Sequence, residues 1–476
     1  MEKQTIVLIT LVIFQVSLVA IGIWAGRYTK NNDDFFLGGR GLGPTVAAIS
    51  YAASASSAWM LIGFTGITFK LGLPAFWFVP CILMGHYISW TWLAPRLMAE
   101  SKEKGALTVT DIIVGNITGP LRTAIVLAAS LFVVVGFTLY VAGQFHASGT
   151  TFSSSFNISF SNSVFLGAGI ILIYTLIGGF WAVSVTDTLQ GLLMALVAII
   201  LPVTALIAVG GIGGLLAGLE STMAPSGASF TGGQSLSGFS LFFLGFASLA
   251  IGAIGQPQLL VRFMALRDTK ALKRGRTIAM TWFTLVITSM FIVGLSGHVL
   301  LDNVSNPESV FFGLTNLLFP GIMAGIVTAA ILSAIMSTAD SQLLVAASVI
   351  SHDLGLERKF GISPILISRL SITLLCLGAV WITLALPSDV FSRVAFAWTS
   401  LGSAFGPIII IRALRYPTRP GAVLGAMVLG FCLTVYFHFY PQNPPDIFER
   451  FVPFVLALMI VFGFREKPAH PAESSR

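Results

Sequence analysis

Within the apolar stretch 321–350 of this 476-residue chain stand Ser333, Ser337, Thr338, Asp340 and Ser341. Ser337, Thr338 and Ser341 fall within one helical turn on adjacent faces, so their oxygens can be aimed at one point across a helix bundle. The plainer use of such residues is as small hydroxylated contacts between helices. Two other stretches weigh toward the first use. Ala52-Ala53-Ser54-Ala55-Ser56-Ser57-Ala58, ahead of Trp59, is a run of small residues with little reason to be a tight continuous helix. Gly255-Gln256-Pro257 follows Gly252, and its proline removes a donor and clashes with the preceding turn. A broken helix in an apolar medium leaves carbonyls without partners, and a bound ion is one way to satisfy them.

The elements that must hold these residues follow from composition. The chain is 55% apolar and 9% charged, with a mean hydropathy of +0.90, whereas soluble domains carry about 25% charged residues. A water-soluble enzyme is excluded, because so few charges cannot coat a fold of this length. Runs long enough to cross roughly 30 Å of hydrocarbon predict thirteen spans: 5–26, 45–67, 73–95, 123–146, 163–184, 188–210, 240–260, 277–300, 321–350, 366–386, 391–411, 421–440 and 448–464. The weakened second and seventh spans lie five helices apart, which points to two inverted five-helix repeats with a site at the midplane.

With the amino terminus outside and the carboxyl terminus in the cytoplasm, all but four of the 26 Lys and Arg fall on the cytoplasmic side. The exceptions are Lys3, Lys70, Arg393 and Arg450, while Arg262 counts as a cytoplasmic loop charge. The net charge of +7 is thus a retention signal beside anionic lipid in the cell membrane, with no call for nucleic acid. The first apolar run is read as a retained helix. The segments at about 147–162 and 211–239 read as outside loops, and the residues from Glu466 as a polar tail. Cys81, Cys376 and Cys432 lie in apolar runs, where buried thiols act as small hydrophobes. The six histidines are scattered, with no HExxH or GxSxG, and Gly210-Gly211 and Gly213-Gly214 lack the Lys-Ser or Lys-Thr of a phosphate loop. No enzyme, ATP-driven pump or symmetric channel filter is expected.

Four blocks in order then carry a resemblance: Asp33-Asp34-Phe35-Phe36-Leu37-Gly38-Gly39-Arg40 with Leu42-Gly43-Pro44; Tyr174-Thr175-Leu176-Ile177-Gly178-Gly179-Phe180-Trp181 running on to Thr186-Asp187-Thr188; Gly255-Gln256-Pro257 with Arg262-Phe263-Met264-Ala265; and Met336-Ser337-Thr338 with Gln342-Leu343-Leu344. The chain resembles the sodium:solute symporter family, and most of all its proline-carrying members, from about residue 5 to 465. The resemblance implies an all-α polytopic membrane protein of the LeuT-type fold. A peripheral helix at 5–26 would precede repeats at 45–210 and 240–411, with two more peripheral helices at 421–464 and a tail at 466–476. It implies uptake of a small solute driven by sodium, with lipid around it and no obligatory protein partner. Carried over by position, the sodium ligands are the carbonyls of Ala53, Ser56 and Ala334 and the hydroxyls of Ser337 and Thr338, a neutral oxygen set suited to a hard cation. Asp187, Asp340 and Ser341 mark a second sodium position or a release route, Asp187 being placed where the fifth span reaches the cytoplasm. Its plainer role there is to cap the helix that follows.

The solute positions carried over are Trp59, Tyr140, Leu249, Ala253 and Pro257. Trp59 and Tyr140 also read, without the resemblance, as aromatics packed between helices. Proline-carrying members have an aspartate where this chain has Ala55, and a tryptophan and a tyrosine where it has Leu249 and Ala253. The first departure opens proton coupling through Asp187 or Asp340 as an alternative to sodium. The second enlarges the pocket and removes a stacking wall, which opens a larger carboxylate such as pantothenate as an alternative to proline or a related amino acid. A transporter-like membrane sensor is a further alternative.

Overall fold

With no water to satisfy it, a backbone crossing a bilayer must close its hydrogen bonds within each segment, and this chain does so almost entirely as helix. The computed structural model describes residues 3–27, 37–177, 179–356, 361–386, 388–444 and 446–466. Asp33 to Phe36, Gly178 and the tail beyond Glu466 lie outside the described residues.

The helices are α1 Lys3–Gly26, α2 Pro44–Ala58, α3 Phe64–Leu71, α4 Phe78–Ile88, α5 Ala94–Lys104, α6 Val109–Val114, α7 Gly119–Phe156, α8 Phe160–Ile177, α9 Phe180–Ala208 and α10 Gly211–Thr222. The second half comprises α11 Leu236–Gly252, α12 Pro257–Met264, α13 Thr269–Leu300, α14 Val310–Leu318, α15 Gly321–Ser348, α16 Pro364–Ala385, α17 Val390–Ala413, α18 Pro420–Phe439 and α19 Val452–Gly463. Among the described residues eleven spans are long and apolar enough to cross a membrane, several built from two helices joined by a wide turn, as in Pro44–Leu71 and Leu73–Lys104. The expected count of about thirteen is not reached on that criterion, because the apolar part of α8, Phe160–Leu176, is shorter and α19 has only 12 residues.

Four expectations are corrected. The fourth span does not give way to a loop at 147, because α7 runs 38 residues to Phe156. The segment 211–239 holds a helix, α10. The fifth span does not reach 184; Gly179 is extended (φ −118°, ψ −171°) and α9 starts at Phe180. Cys432 is exposed on α18, whereas Cys81 and Cys376 are buried.

The spans Pro44–Leu71, α17 and Gly321–Asp353 are 94%, 89% and 83% enclosed, against 22% for α1 and 33% for α18, so the breaks sit at the centre. Side chains such as Ile13, Val16, Leu131, Ile207, Leu374 and Trp381 stay exposed and give the bundle an apolar exterior. Two backbone bonds, Leu42 N to Ala265 O (3.1 Å) and Arg267 N to Leu42 O (3.1 Å), join the chain just before α2 to the chain just after α12.

Candidate functional site

The first break falls at Ser57, whose φ of 44° and ψ of −171° no helix contains. The freed polar groups are met from α7. Gln144 Oε1 accepts from Ala58 N (3.1 Å) and Gln144 Nε2 donates to Ser57 Oγ (3.4 Å), to which Tyr140 OH also donates (3.4 Å). The second break is the turn Ala253–Gly255, after which Gln256 is extended and Pro257 opens α12. Gln256 Nε2 donates to Gly252 O (3.1 Å) and Trp398 O (2.8 Å), and Trp398 Nε1 donates to Leu249 O (2.9 Å). Gln144 and Trp398 were not singled out from sequence, and Gln256 only as part of its block with Gly255 and Pro257. Their signal was an amide or indole inside an apolar span, which must find a partner when buried.

The oxygens expected to hold sodium line the seam between α2 and α15. Thr338 Oγ1 bonds to Ser54 O and Ala334 O, each at 3.1 Å, and Ser337 Oγ donates to Ala334 O (3.3 Å). Ala53, Ser56, Ala334, Ser337 and Thr338 are all fully buried. The carbonyl of α2 that meets Thr338 is that of Ser54, one residue past Ala53. The Ser56 carbonyl is occupied locally by Trp59 N. Such a seam of neutral oxygens fits a hard monovalent cation, which would exchange hydroxyl–carbonyl bonds for coordination.

Beside the seam lies a charged group that sequence reasoning placed in the wrong setting. Arg262 is no loop cation; it is 1% exposed. Its Nη2 donates to Asp187 Oδ2 (2.8 Å), Ser54 Oγ (2.8 Å) and Ser341 Oγ (2.6 Å), its Nε to Ser50 Oγ (2.9 Å), and its Nη1 to Gln258 O. Asp187 is fully buried and caps no helix, because α9 starts earlier than its sequence suggests. It lies two turns into α9, accepting from Ser50 Oγ (2.7 Å). Asp340, Ser341 and Asp187 do come together, Ser341 Oγ lying 3.4 Å from Asp340 Oδ1 and 3.5 Å from Asp187 Oδ2. Among the described residues Arg262 pairs with Asp187 alone, Asp340 Oδ1 accepts from Ser341 N (2.6 Å), and Asp187 Oδ1 and Asp340 Oδ2 accept no hydrogen bond. A buried charge without a partner is costly, so this cluster favours a further cation or a proton.

The solute positions divide. Trp59 and Leu249 line one cavity of about 30 Å³ between the two breaks, with Phe78, His86, Phe391 and Trp398 among its walls. Tyr140 turns to Ser57, Ala253 is buried in the second break, and Pro257 faces a different pocket toward α6. The stacking wall expected to be lost with Leu249 and Ala253 is supplied from α17 by Trp398, whose Nε1 lies 2.6 Å from where a Cβ on Gly252 would stand.

Residues 35–430 match the sodium:solute symporter family. The chain is 34% identical to the sodium/proline symporter of Escherichia coli over 495 residues, covering 100% of this chain and 96% of the relative. It is 33% identical to the osmoregulated proline transporter OpuE of Bacillus subtilis over 433 residues, covering 89% and 87%. Among solved structures it is similar to the substrate-bound outward-open state of a Na+-coupled sialic acid symporter, with a TM-score of 0.78, 16% identity and 96% of each chain covered. That likeness, with the two broken spans at the centre, makes this the LeuT-type fold. With the family match spanning most of its length and full-length relatives above 30% identity, the chain belongs to the sodium:solute symporter family, sodium-coupled transporters of small solutes and not enzymes.

Proposed function

We propose that this protein imports proline, or an amino acid close to it, together with sodium. The observation that carries the ion half is the α2–α15 seam, where Thr338 Oγ1 spans Ser54 O and Ala334 O next to the strained break at Ser57. Sodium held there by Ala53, Ser56, Ala334, Ser337 and Thr338, with the Ser54 carbonyl beside them, would tie the two helices and fix the break. The solute site then forms only when the ion is bound, which is coupling by differential affinity. For the solute half, relatives of nearly full-length coverage are named for proline. The cavity at Trp59, Leu249 and Trp398 is mostly apolar and far below the ~300 Å³ of a small ligand pocket, so a solute must part its walls to enter. That suits a compact hydrocarbon ring better than a long pantothenate chain. Tyr140, Ala253 and Pro257 act on the solute through the breaks they support.

We place the amino terminus outside and the carboxyl terminus in the cytoplasm of the cell membrane, with repeats at 45–210 and 240–411 embedded in lipid and no obligatory protein partner. A second reading, proton coupling, is favoured by one observation: among the described residues Asp340 is buried without an ion pair, its Oδ2 accepting no hydrogen bond.

The test is proline uptake into proteoliposomes under an inward sodium gradient, an inward proton gradient or neither. Accumulation only with sodium supports the reading. Thr338→Ala or Ser337→Ala should then raise the sodium concentration for half-maximal uptake by about tenfold, as loss of one ligand bond of ~1.4 kcal/mol implies, and shift the proline requirement less. Accumulation with protons alone, abolished by Asp340→Asn, would replace sodium with the second reading. No proline uptake under any gradient would overturn the solute assignment and turn the assay to pantothenate-sized carboxylates.

A further inference from the structure

Away from the ion seam and the solute pocket lies a cluster that neither site uses. Asp111 of α6 and His352 and Asp353, from the turn Val349–Asp353 that ends the span of α15, each offer one ligand atom, and these atoms lie within 4.8 Å of one another. His352 Nε2 is 3.9 Å from Asp111 Oδ2. Asp353 Oδ1 accepts from Thr108 Oγ1 (2.9 Å). Asp353 Oδ2 is sealed from solvent and accepts no hydrogen bond, an arrangement that costs free energy unless something positive sits against it. The Thr110 side chain and the charge of Arg122, at the start of α7, also act on this carboxylate.

The donor set is distinctive. One imidazole and two carboxylates on one side of an ion, with positions left for water, is a set that zinc and its neighbours take. Ligands at about 2.0–2.2 Å from such an ion stand ~3.5 Å apart, so the three atoms need to close by roughly an ångström. Asp111 Oδ2 is held by Leu107 N (3.0 Å) and Thr108 N (3.2 Å), so most of that closing falls to the partly exposed His352.

The position gives the site a consequence. α6 covers a pocket bounded by Thr108 and Ile113 on one side and by Pro257, Val261, Ser348 and Phe405 on the other. This pocket runs from the second break toward the end of the bundle that bears α6. Anything that fastens α6 to the end of α15 keeps that end covered.

We propose that Asp111, His352 and Asp353 bind one divalent transition-metal cation, which pins α6 to the end of α15 and slows opening of the pathway on that side. The binding half stands on the cluster alone; the gating half rests on the symport reading above.

The experiment titrates zinc into the purified full-length chain by calorimetry, for the wild type, His352→Ala and Asp353→Asn. Asp353→Asn keeps an acceptor for Thr108 and removes the charge. One zinc per chain, weakened at least tenfold by either substitution, is expected. No saturable binding, or binding unchanged in the variants, overturns the site. Should Asp353→Asn fail to fold, the more exposed His352→Ala decides. In proteoliposomes, zinc added on the α6 side should cut sodium-driven uptake several-fold in the wild type and leave His352→Ala unaffected. Zinc that binds without slowing uptake overturns the pinning and leaves the site standing. Absence of sodium-driven uptake before any zinc is added sinks the symport reading instead.

Discussion

The two broken spans reach the same outcome by different means. At Ser57 the chain adopts a positive φ that a β-substituted residue pays about 1–3 kcal/mol to hold. Nothing covalent requires it; Gln144, Tyr140 and the backbone at Trp59 hold it through hydrogen bonds. At Gly255-Gln256-Pro257 the break is written into the residues. Proline cannot continue the preceding helix, and Gly255 packs so tightly on α17 that a Cβ there would lie 2.7 Å from Gly406 N. The first break therefore depends on contacts that an ion or solute can exchange, whereas the second is a fixed corner. Motion during transport should concentrate at the first.

Arg262 tests the tie between them, since it reaches from the end of α12 to Ser50 and Ser54 below the first break. Arg262→Met leaves Asp187 buried and unpaired, a loss of about 3–5 kcal/mol, so uptake should vanish and the melting temperature fall by the largest margin of any single change here. Arg262→Met with Asp187→Asn should recover part of the melting temperature. No recovery would show that the guanidinium matters through its other partners.

Smaller effects distinguish the breaks themselves. Gln144→Leu leaves Ala58 N without a partner and takes one of three donors from Ser57 Oγ, and should cost ~1–3 kcal/mol, read as a lower melting temperature that added sodium narrows. Ser57→Gly accepts the positive φ without strain and should be more stable than Ser57→Ala by about 1 kcal/mol. Equal melting of the two would remove the claim that the first break is strained.

The smallest expected effect lies at the rim, where Glu308 accepts from Val390 N and Phe391 N, each at 3.2 Å, at the start of α17. Burial pushes this carboxyl up to about 7, with the charge of Asp389 adding to it and the two backbone donors opposing it. A carboxyl raised on folding contributes its stability when protonated. That contribution is present in full below about 4.5 and is lost as pH rises through about 7. Melting temperature measured from pH 5 to 8 should thus fall more steeply in the wild type than in Glu308→Gln.

The contrast between the breaks also explains what the residues disclosed in advance. Pro257 announces its corner because its effect is local. The run from Ala52 to Ala58 gave the weak span but not the serine at which it gives way, since Ser57 is bent by partners on α7. Ser337, Thr338 and Ser341 were legible because helical spacing alone puts them on one side. Asp187 was displaced because apolar residues flank the glycines on both sides and hide the helix start after Gly179, which no proline marks. Arg262 looked like one more basic loop residue, as its acid lies 75 positions away and only folding joins them. Trp398 escaped notice for the same reason, although it restores aromatic surface near two positions where the resemblance had pointed to loss.

The short backbone pairing of Leu42 with Ala265 and Arg267 has a mechanical meaning. It rivets the root of α2 to the foot of α12, so the halves of the two broken spans that meet there form a single lever. A displacement begun by an ion at the first break would then be delivered, undiminished, beneath the second.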